Sequence, residues 1–330
     1  MEPMAKLLGA NENMLQNCVV YGRTLLIFLI PFCLQNAFQS FLIVAEKPTL
    51  GLIISIVSGV SNMILDFWLI YVLKMGVLGA ALATGISQII GGIIPIFYFA
   101  TKKNHILQFA KAKFELKPII QSCINGSSEM LTNLSMSLVN MLFNMQLMKY
   151  VGSDGVVAFG IIMYVGFIFS GTYFGYSMGT VPIIGYHYGA ENKEELKSLL
   201  KKSIILMAVT SLAMTGLAEI LSKLLASIFV SYDENLLNMT TNAIRLFSIS
   251  YLISGFNIFS SSFFTALNNG FVSAVISFLR TLVFQVIMIY ILPLIWGING
   301  IWLAVVFAEI LSLFVSVMFL VKNKKKYQYA

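Results

Sequence analysis

The chain is a series of apolar stretches, each about as long as a bilayer is thick, separated by short connections that hold most of its lysines. A helix needs about 20 largely apolar residues to cross the hydrocarbon. By that test nine spans are expected: 17–43, 48–73, 76–100, 118–148, 155–181, 203–222, 240–267, 271–295 and 298–321. Lipid offers no partner to a backbone N–H or C=O, so open spans of this kind must be helical. Pro48, Pro118 and Gly270 stand near span starts, where a missing N–H or a flexible residue costs little. Composition agrees: 11% of residues are charged, against about 25% in a soluble domain. Too little charge remains to coat a water-facing surface. The expected fold is an all-α polytopic membrane protein, and the chain is not expected to be an enzyme.

The lysines set an orientation. Lys102, Lys103, Lys111, Lys113 and Lys117 follow the third span; Lys193, Lys197, Lys201 and Lys202 follow the fifth; Lys322, Lys324, Lys325 and Lys326 close the chain. With Lys47 between the first two spans, these segments alternate so that all share one face. The other face has only Lys6, Lys74, Lys149 and Lys223, with Arg23 and Arg245 at helix starts. The positive-inside rule puts the lysine-rich face and the C-terminus in the cytoplasm of a cell membrane. The net charge of +7 is thereby explained without a nucleic-acid partner. Met1-Glu2-Pro3 lacks the basic segment of a signal peptide, and Glu12 interrupts any early apolar run. Cys18, Cys33 and Cys123 are odd in number and have no CxxC spacing, which argues against a disulfide framework or a metal site.

The chain repeats itself. At an offset of 222, Glu12-Asn13 fall on Glu234-Asn235, Leu15 on Leu237, Arg23 on Arg245, Phe41 on Phe263 and Ser55 on Ser277. One residue of slippage puts Gly76-Val77-Leu78-Gly79-Ala80 on Gly297-Ile298-Asn299-Gly300-Ile301, and Ala83 on Ala304. The copies start six spans apart, an even number, so they share orientation, a parallel repeat of the kind transporters use. The second copy is preceded by three helices in residues 118–222 that the first copy lacks. A six-plus-six molecule of twelve helices is therefore expected, of which this chain holds the fourth to the twelfth.

Several stretches resemble the multidrug and toxic compound extrusion (MATE) transporters. They are Leu7-Leu8-Gly9-Ala10, Tyr21-Gly22-Arg23, Pro31-Phe32, Asn62-Met63-Ile64-Leu65-Asp66, Gly76 through Thr84, and Gly185-Tyr186-His187-Tyr188-Gly189-Ala190. The pair Asn-x-x-Leu-Asp and Gly-x-x-Gly-Ala-Ala-x-Ala-Thr is the most specific of them. The resemblance implies a two-lobe 6+6 fold. On it, residues 1–100 are part of an N-lobe, 101–117 an inter-lobe linker, 118–322 a C-lobe and 323–330 a basic tail. It also implies antiport: an amphiphilic, often cationic, drug or toxic compound leaves while Na⁺ or H⁺ enters, with no cofactor. The partners expected are that small molecule and the bilayer, and the intact molecule is expected to be a monomer. Without the first three helices, the chain alone is expected to confer no drug resistance.

Asp66 is the residue to single out. A carboxylate in the body of a span costs about 3 kcal/mol or more unless partnered or hydrated. Asn62 lies one turn earlier on the same side, and Thr84 lies in the next span. Oxygens on facing helices can replace the water shell of Na⁺, or the carboxyl can carry a proton itself; a purely structural Asn–Asp pair is the plainer alternative. The resemblance implies that Asn62, Asp66, Thr84 and the carbonyl of Ala80 line an N-lobe cation site. It also implies an Asp on a first helix, which these residues do not include.

Further polar groups are candidates for a substrate or ion cavity. Glu129 opens the fourth span, either as part of such a site or as a carboxylate favoured by the helix dipole. The family's usual acid lies about two turns deeper, where this chain has Met136 and other uncharged residues. Span 240–267 holds no acid either, which leaves a C-lobe cation site of the usual kind without its ligands. Glu309 lies mid-span, opposite Gln88 in the repeat, and Arg280 in the preceding span could pair with it. Asn133, Asn140 and Asn144 share one helical stripe. His105 and His187 have no second ligand at metal spacing. No Gly-x-x-x-x-Gly-Lys sequence points to ATP-driven transport. Two rival functions stand beside antiport. A lipid-linked oligosaccharide flippase of the same superfamily would want more intramembrane Arg and Lys than are present. A transport-inactive fragment is the other.

Overall fold

The computed structural model describes residues 1–3, 12–101, 107 and 115–329; the side chains of 12–14, 128 and 129 lie outside that description. Every regular element among them is helical. The chain divides into two compact units, Met1–Phe114 and Glu115–Ala330. The first holds α1 (Glu12–Ile27), α2 (Leu29–Val44), α3 (Pro48–Asp66) with a π-helical turn at Phe67–Val72, and α4 (Gly76–Thr101). The second holds α5 (Leu116–Tyr150), α6 (Ser153–Gly189), α7 (Lys193–Val230), α8 (Glu234–Ser248), α9 (Tyr251–Ala266), α10 (Gly270–Phe278), a π turn at Leu279–Val283, α11 (Phe284–Trp296) and α12 (Ile298–Tyr327).

Local chemistry sets these boundaries. Pro48 occupies the first turn of α3, where its missing N–H is no loss. Asn192, Asp233 and Asn269 cap α7, α8 and α10, each accepting from a backbone N–H of the first turn. Gly297, at φ 57°, makes the turn between α11 and α12, in a region that a Cβ would disfavour.

Among the described residues, six helical segments are long and apolar enough to cross a membrane, and two bent pairs raise the count to eight. The pairs are α1–α2, bent by 53°, and α8–α9, bent by 47°. The ninth expected span, 118–148, is the continuous helix α5, whose serines and asparagines leave it short of the same apolar measure. Large apolar side chains such as Ile30, Ile220, Phe271 and Leu294 are more than 70% exposed. A water-soluble monomer does not display so many; lipid is their natural surrounding. The chain is an all-helical, multi-pass membrane protein.

In the first unit α4 is the helix that the others pack on. Its glycines make room: a Cβ on Gly85 would strike the Phe28 ring, and one on Gly91 would lie 2.6 Å from the Gln35 side chain. Small residues of this kind let helices approach where no hydrophobic drive between them exists. The second unit has the larger core, built around Phe143, Tyr173, Phe263, Phe264 and Trp302. The turn after α12 folds Tyr329 back against Phe263, its hydroxyl donating to the Leu320 carbonyl at 2.7 Å.

The internal repeat reappears in detail at the offset of 222. The bend at Phe28 answers the one at Ser250, and Glu46 and Asn268 are both left-handed, at φ 59° and 55°. Gln39 bonds the Gly51 carbonyl at 3.2 Å and the Ser55 hydroxyl at 2.8 Å. Its counterpart Ser261 bonds the Ser273 carbonyl at 3.3 Å and the Ser277 hydroxyl at 2.7 Å. The same contacts, made by different side chains, hold both hairpins together.

Candidate functional site

The second unit holds a partly open cavity of about 320 Å³. One face of α5 supplies Thr132, Met136, Val139, Asn140 and Phe143; α6 adds Phe159, Met163, Phe167 and Phe174; Phe247 and Tyr251 close the wall from the α8–α9 bend. Aromatic and methionine side chains dominate, surfaces that re-pack around ligands of varied shape. Into this apolar space come two full charges, Arg280 and Glu309.

Arg280 sits inside the π turn Leu279–Val283, a distortion often found at functional positions. Its Nε donates to Glu309 Oε1 at 2.9 Å, with the two side chains only 12% and 3% exposed. Asn257 of α9 satisfies the other carboxylate oxygen, donating Nδ2 to Oε2 at 2.7 Å and to the Glu309 carbonyl at 2.9 Å. Ser316 in turn donates to Asn257 Oδ1 at 2.9 Å. Both oxygens of Glu309 are therefore engaged, as a buried charge requires. The expected pairing of Glu309 with Arg280 is present, and Glu309 also reaches the cavity wall.

In the first unit α3 and α4 run antiparallel. Ser58 donates to the Ser87 carbonyl at 2.7 Å, and a Cβ on Gly79 would sit 3.1 Å from the Leu69 backbone. Between these two contacts, Asn62 falls near the level of Thr84, and Asp66 near that of Ala80. Thr84 Oγ1 donates to the Ala80 carbonyl at 3.0 Å, which brings those two oxygens together. Asn62 Nδ2 is buried without a hydrogen-bond partner. Asp66 is half-buried at the mouth of the π turn Phe67–Val72, and among the described residues it has no hydrogen bond or ion pair. All four expected residues thus lie on one helix pair, at matched heights.

The remaining candidates separate. Asn140 lines the cavity, whereas Asn133 and Asn144 lie on α5 outside its wall. The Glu129 side chain and His105 lie outside the described residues. His187 sits in the last turn of α6 with Nδ1 buried and unpartnered. Asn257, Ser254 and Ser316 join this site without a motif to mark them. The only sequence signal for Asn257 was a lone amide in an apolar helix, and that also describes an ordinary interhelical hydrogen bond.

Residues 1–68 and 129–291 match the MatE family. The chain belongs to that family. Among its relatives is the multidrug export protein MepA of Staphylococcus haemolyticus, 27% identical over 278 residues, which are 83% of this chain and 60% of the relative. The MepA of Staphylococcus saprophyticus is 24% identical over 312 residues, 93% of this chain and 68% of the relative. The chain thus spans about three-fifths to two-thirds of these MatE proteins. A crystal structure of a MATE protein in complex with MaL6 superposes with a TM-score of 0.92 at 20% identity, covering all of this chain and 74% of the other. At that identity the likeness speaks for the MatE fold.

Proposed function

We propose that this MatE-family chain serves secondary active export of amphiphilic drugs or toxic compounds in exchange for Na⁺ or H⁺. The observation that carries the reading is the partly open cavity of about 320 Å³ within one helical unit, walled by Phe143, Phe159, Met163, Phe167 and Phe174. Concave, mostly apolar sites with a few convergent polar groups are the usual seats of small molecules. The relatives described as multidrug export proteins support the same reading. The coupling ion would use Asn62, Asp66, Thr84 and the Ala80 carbonyl, four groups at matched heights on α3 and α4. Asp66, without a partner among the described residues, is the one full charge in that set.

The test uses right-side-out membrane vesicles loaded with ethidium. It compares the 330-residue chain with the same chain preceded by three family helices. Efflux from either that starts on imposing a Na⁺ or pH gradient, and stops when the gradient is collapsed, supports the proposal. No gradient-dependent efflux from either form, with both detected in the membrane, overturns it.

A further inference from the structure

We propose that the cavity of the second unit is an anion-recognising site, built to seat the carboxylate or other oxyanion head of an aromatic or aliphatic amphiphile. The inference rests on the reading of this cavity as a substrate site, and it narrows the substrate class away from the cations that the family resemblance implies.

A free carboxylate would favour a cationic drug, and Glu309 has none to give: Arg280 holds one oxygen at 2.9 Å and Asn257 the other at 2.7 Å. Arg280 is differently placed. A guanidinium carries five N–H donors in a fork, and Glu309 takes only the one on Nε. The two terminal amino groups make no hydrogen bond among the described residues, yet they are not among the fully buried unpartnered atoms. They therefore keep access to the space that Arg280 lines. The edge between these amino groups presents two parallel N–H bonds, one from each, the geometry that meets a carboxylate or phosphate in two parallel bonds.

A neutral polar group reinforces the guanidinium. Ser254 lines the same cavity, and its hydroxyl is buried without a partner. It lies one turn before Asn257 on α9, so one stripe of that helix carries both the brace on Glu309 and a spare hydroxyl.

The repeat argues that the charges are not there for packing. The counterparts of Asn257 and Arg280 are Gln35 and Ser58, and that of Glu309 is Gln88, beside Ser87. There Gln35 donates to the Ser58 hydroxyl at 3.4 Å, and Ser58 to the Ser87 carbonyl at 2.7 Å. A neutral network closes this helix junction in the first unit. A buried ion pair is often no more stable than neutral groups of similar size, so its presence in the second unit calls for another use. Holding an arginine at the wall of an apolar cavity, with Glu309 fixing its direction, is such a use.

The purified full chain in neutral detergent is titrated with 2-naphthoate, 2-naphthamide and 2-naphthylmethylammonium, three probes of similar bulk and different charge, by calorimetry. The carboxylate should bind about tenfold or more tighter than the ammonium, with the amide between them. Removing both charges together, Arg280→Met with Glu309→Gln, should bring the carboxylate down to the level of the amide, while the amide still binds. Arg280→Lys should keep a reduced preference for the carboxylate. Equal binding of the three probes, tighter binding of the ammonium, or a carboxylate preference that survives the double substitution each overturns the inference while leaving the cavity a ligand site. If none of the three binds, the inference and the substrate-site reading fall together. The comparison of probes on the unaltered chain needs no variant to fold.

Discussion

A carboxylate inside an apolar helix bundle is defined by what meets its two oxygens. Those of Glu309 are both taken, by Arg280 and Asn257, so its charge belongs to a closed network. Asp66 is half-buried with no such partner among the described residues, near the level of Ala80 and one turn from Asn62. That contrast gives Asp66 the freer charge of the two, and it yields a prediction. Asp66→Asn keeps the volume and one acceptor oxygen, so packing on α4 should survive. The amide cannot ionise, so it can neither release a proton nor neutralise a dehydrated Na⁺. A unit charge 4 Å from a cation at an effective dielectric of 20 is worth about 4 kcal/mol. Gradient-driven efflux, normalised to protein in the membrane, should therefore be lost in whichever form carries it. Asn62→Ala and Thr84→Ala each remove one neutral dipole, worth about 1 kcal/mol, and should only weaken efflux. Parent-level transport by Asp66→Asn would reduce Asp66 to a packing residue.

At the scale of helices, close approach is bought by small residues, and the positions differ sharply in what surrounds them. A Cβ on Gly300 of α12 would collide with the Leu292 carbonyl across the α11–α12 turn, whereas one on Gly179 of α6 would meet nothing within 4 Å. Gly300→Ala should destabilise by about 1–3 kcal/mol, because backbone cannot give way as a side chain can. Gly179→Ala should be neutral or gain up to about 1 kcal/mol from helix propensity. Thermal unfolding midpoints in one detergent compare the two; a Gly300→Ala protein as stable as Gly179→Ala would refute the packing argument. The sequence made the helices legible because apolar length is the physical requirement for crossing lipid. It did not show where they end. The span expected at 203–222 belongs to a helix running from Lys193 to Val230, since hydropathy marks the lipid-facing depth and not the hydrogen-bonded length. Of the two bends, the one at Phe28 is marked by Pro31, which has no N–H to offer the Ile27 carbonyl, whereas the one at Ile249–Ser250 falls without the Pro or Gly that usually marks one. The pairing of Arg280 with Glu309 was legible because few charges lie mid-span to choose from. Asn257, their third member, was not, because one amide among apolar residues has many structural uses.

Across the whole chain, the repeat distributes polar groups unequally. Asn62, Asp66, Ala80 and Thr84 correspond to Phe284, Met288, Ile301 and Val305 in the second copy, while Ser58 and Gln88 correspond to Arg280 and Glu309. Each copy carries charge where the other does not, which suits a division of labour between ion and substrate. Such a division requires that the spans cross the membrane in the expected order, and α5 is the one in question. Its length suffices but its apolar content falls short. Parity supplies the test. From Lys197 to Lys324 the chain crosses four times, through α7, the α8–α9 pair, the α10–α11 segment and α12, so both lysines share a face. Lys117 at the start of α5 shares that face only if α5 and α6 both cross. With the native cysteines replaced by alanine, single cysteines at Lys117, Lys197 and Lys324 should resist an impermeant maleimide in intact cells. Cysteines at Lys74 and Lys149 should react. Labelling at Lys197 or Lys324 from outside would overturn the orientation. Labelling at Lys117 with protection at Lys197 would remove α5 from the crossing helices, and the cavity it walls would then have to be read without a membrane-spanning α5.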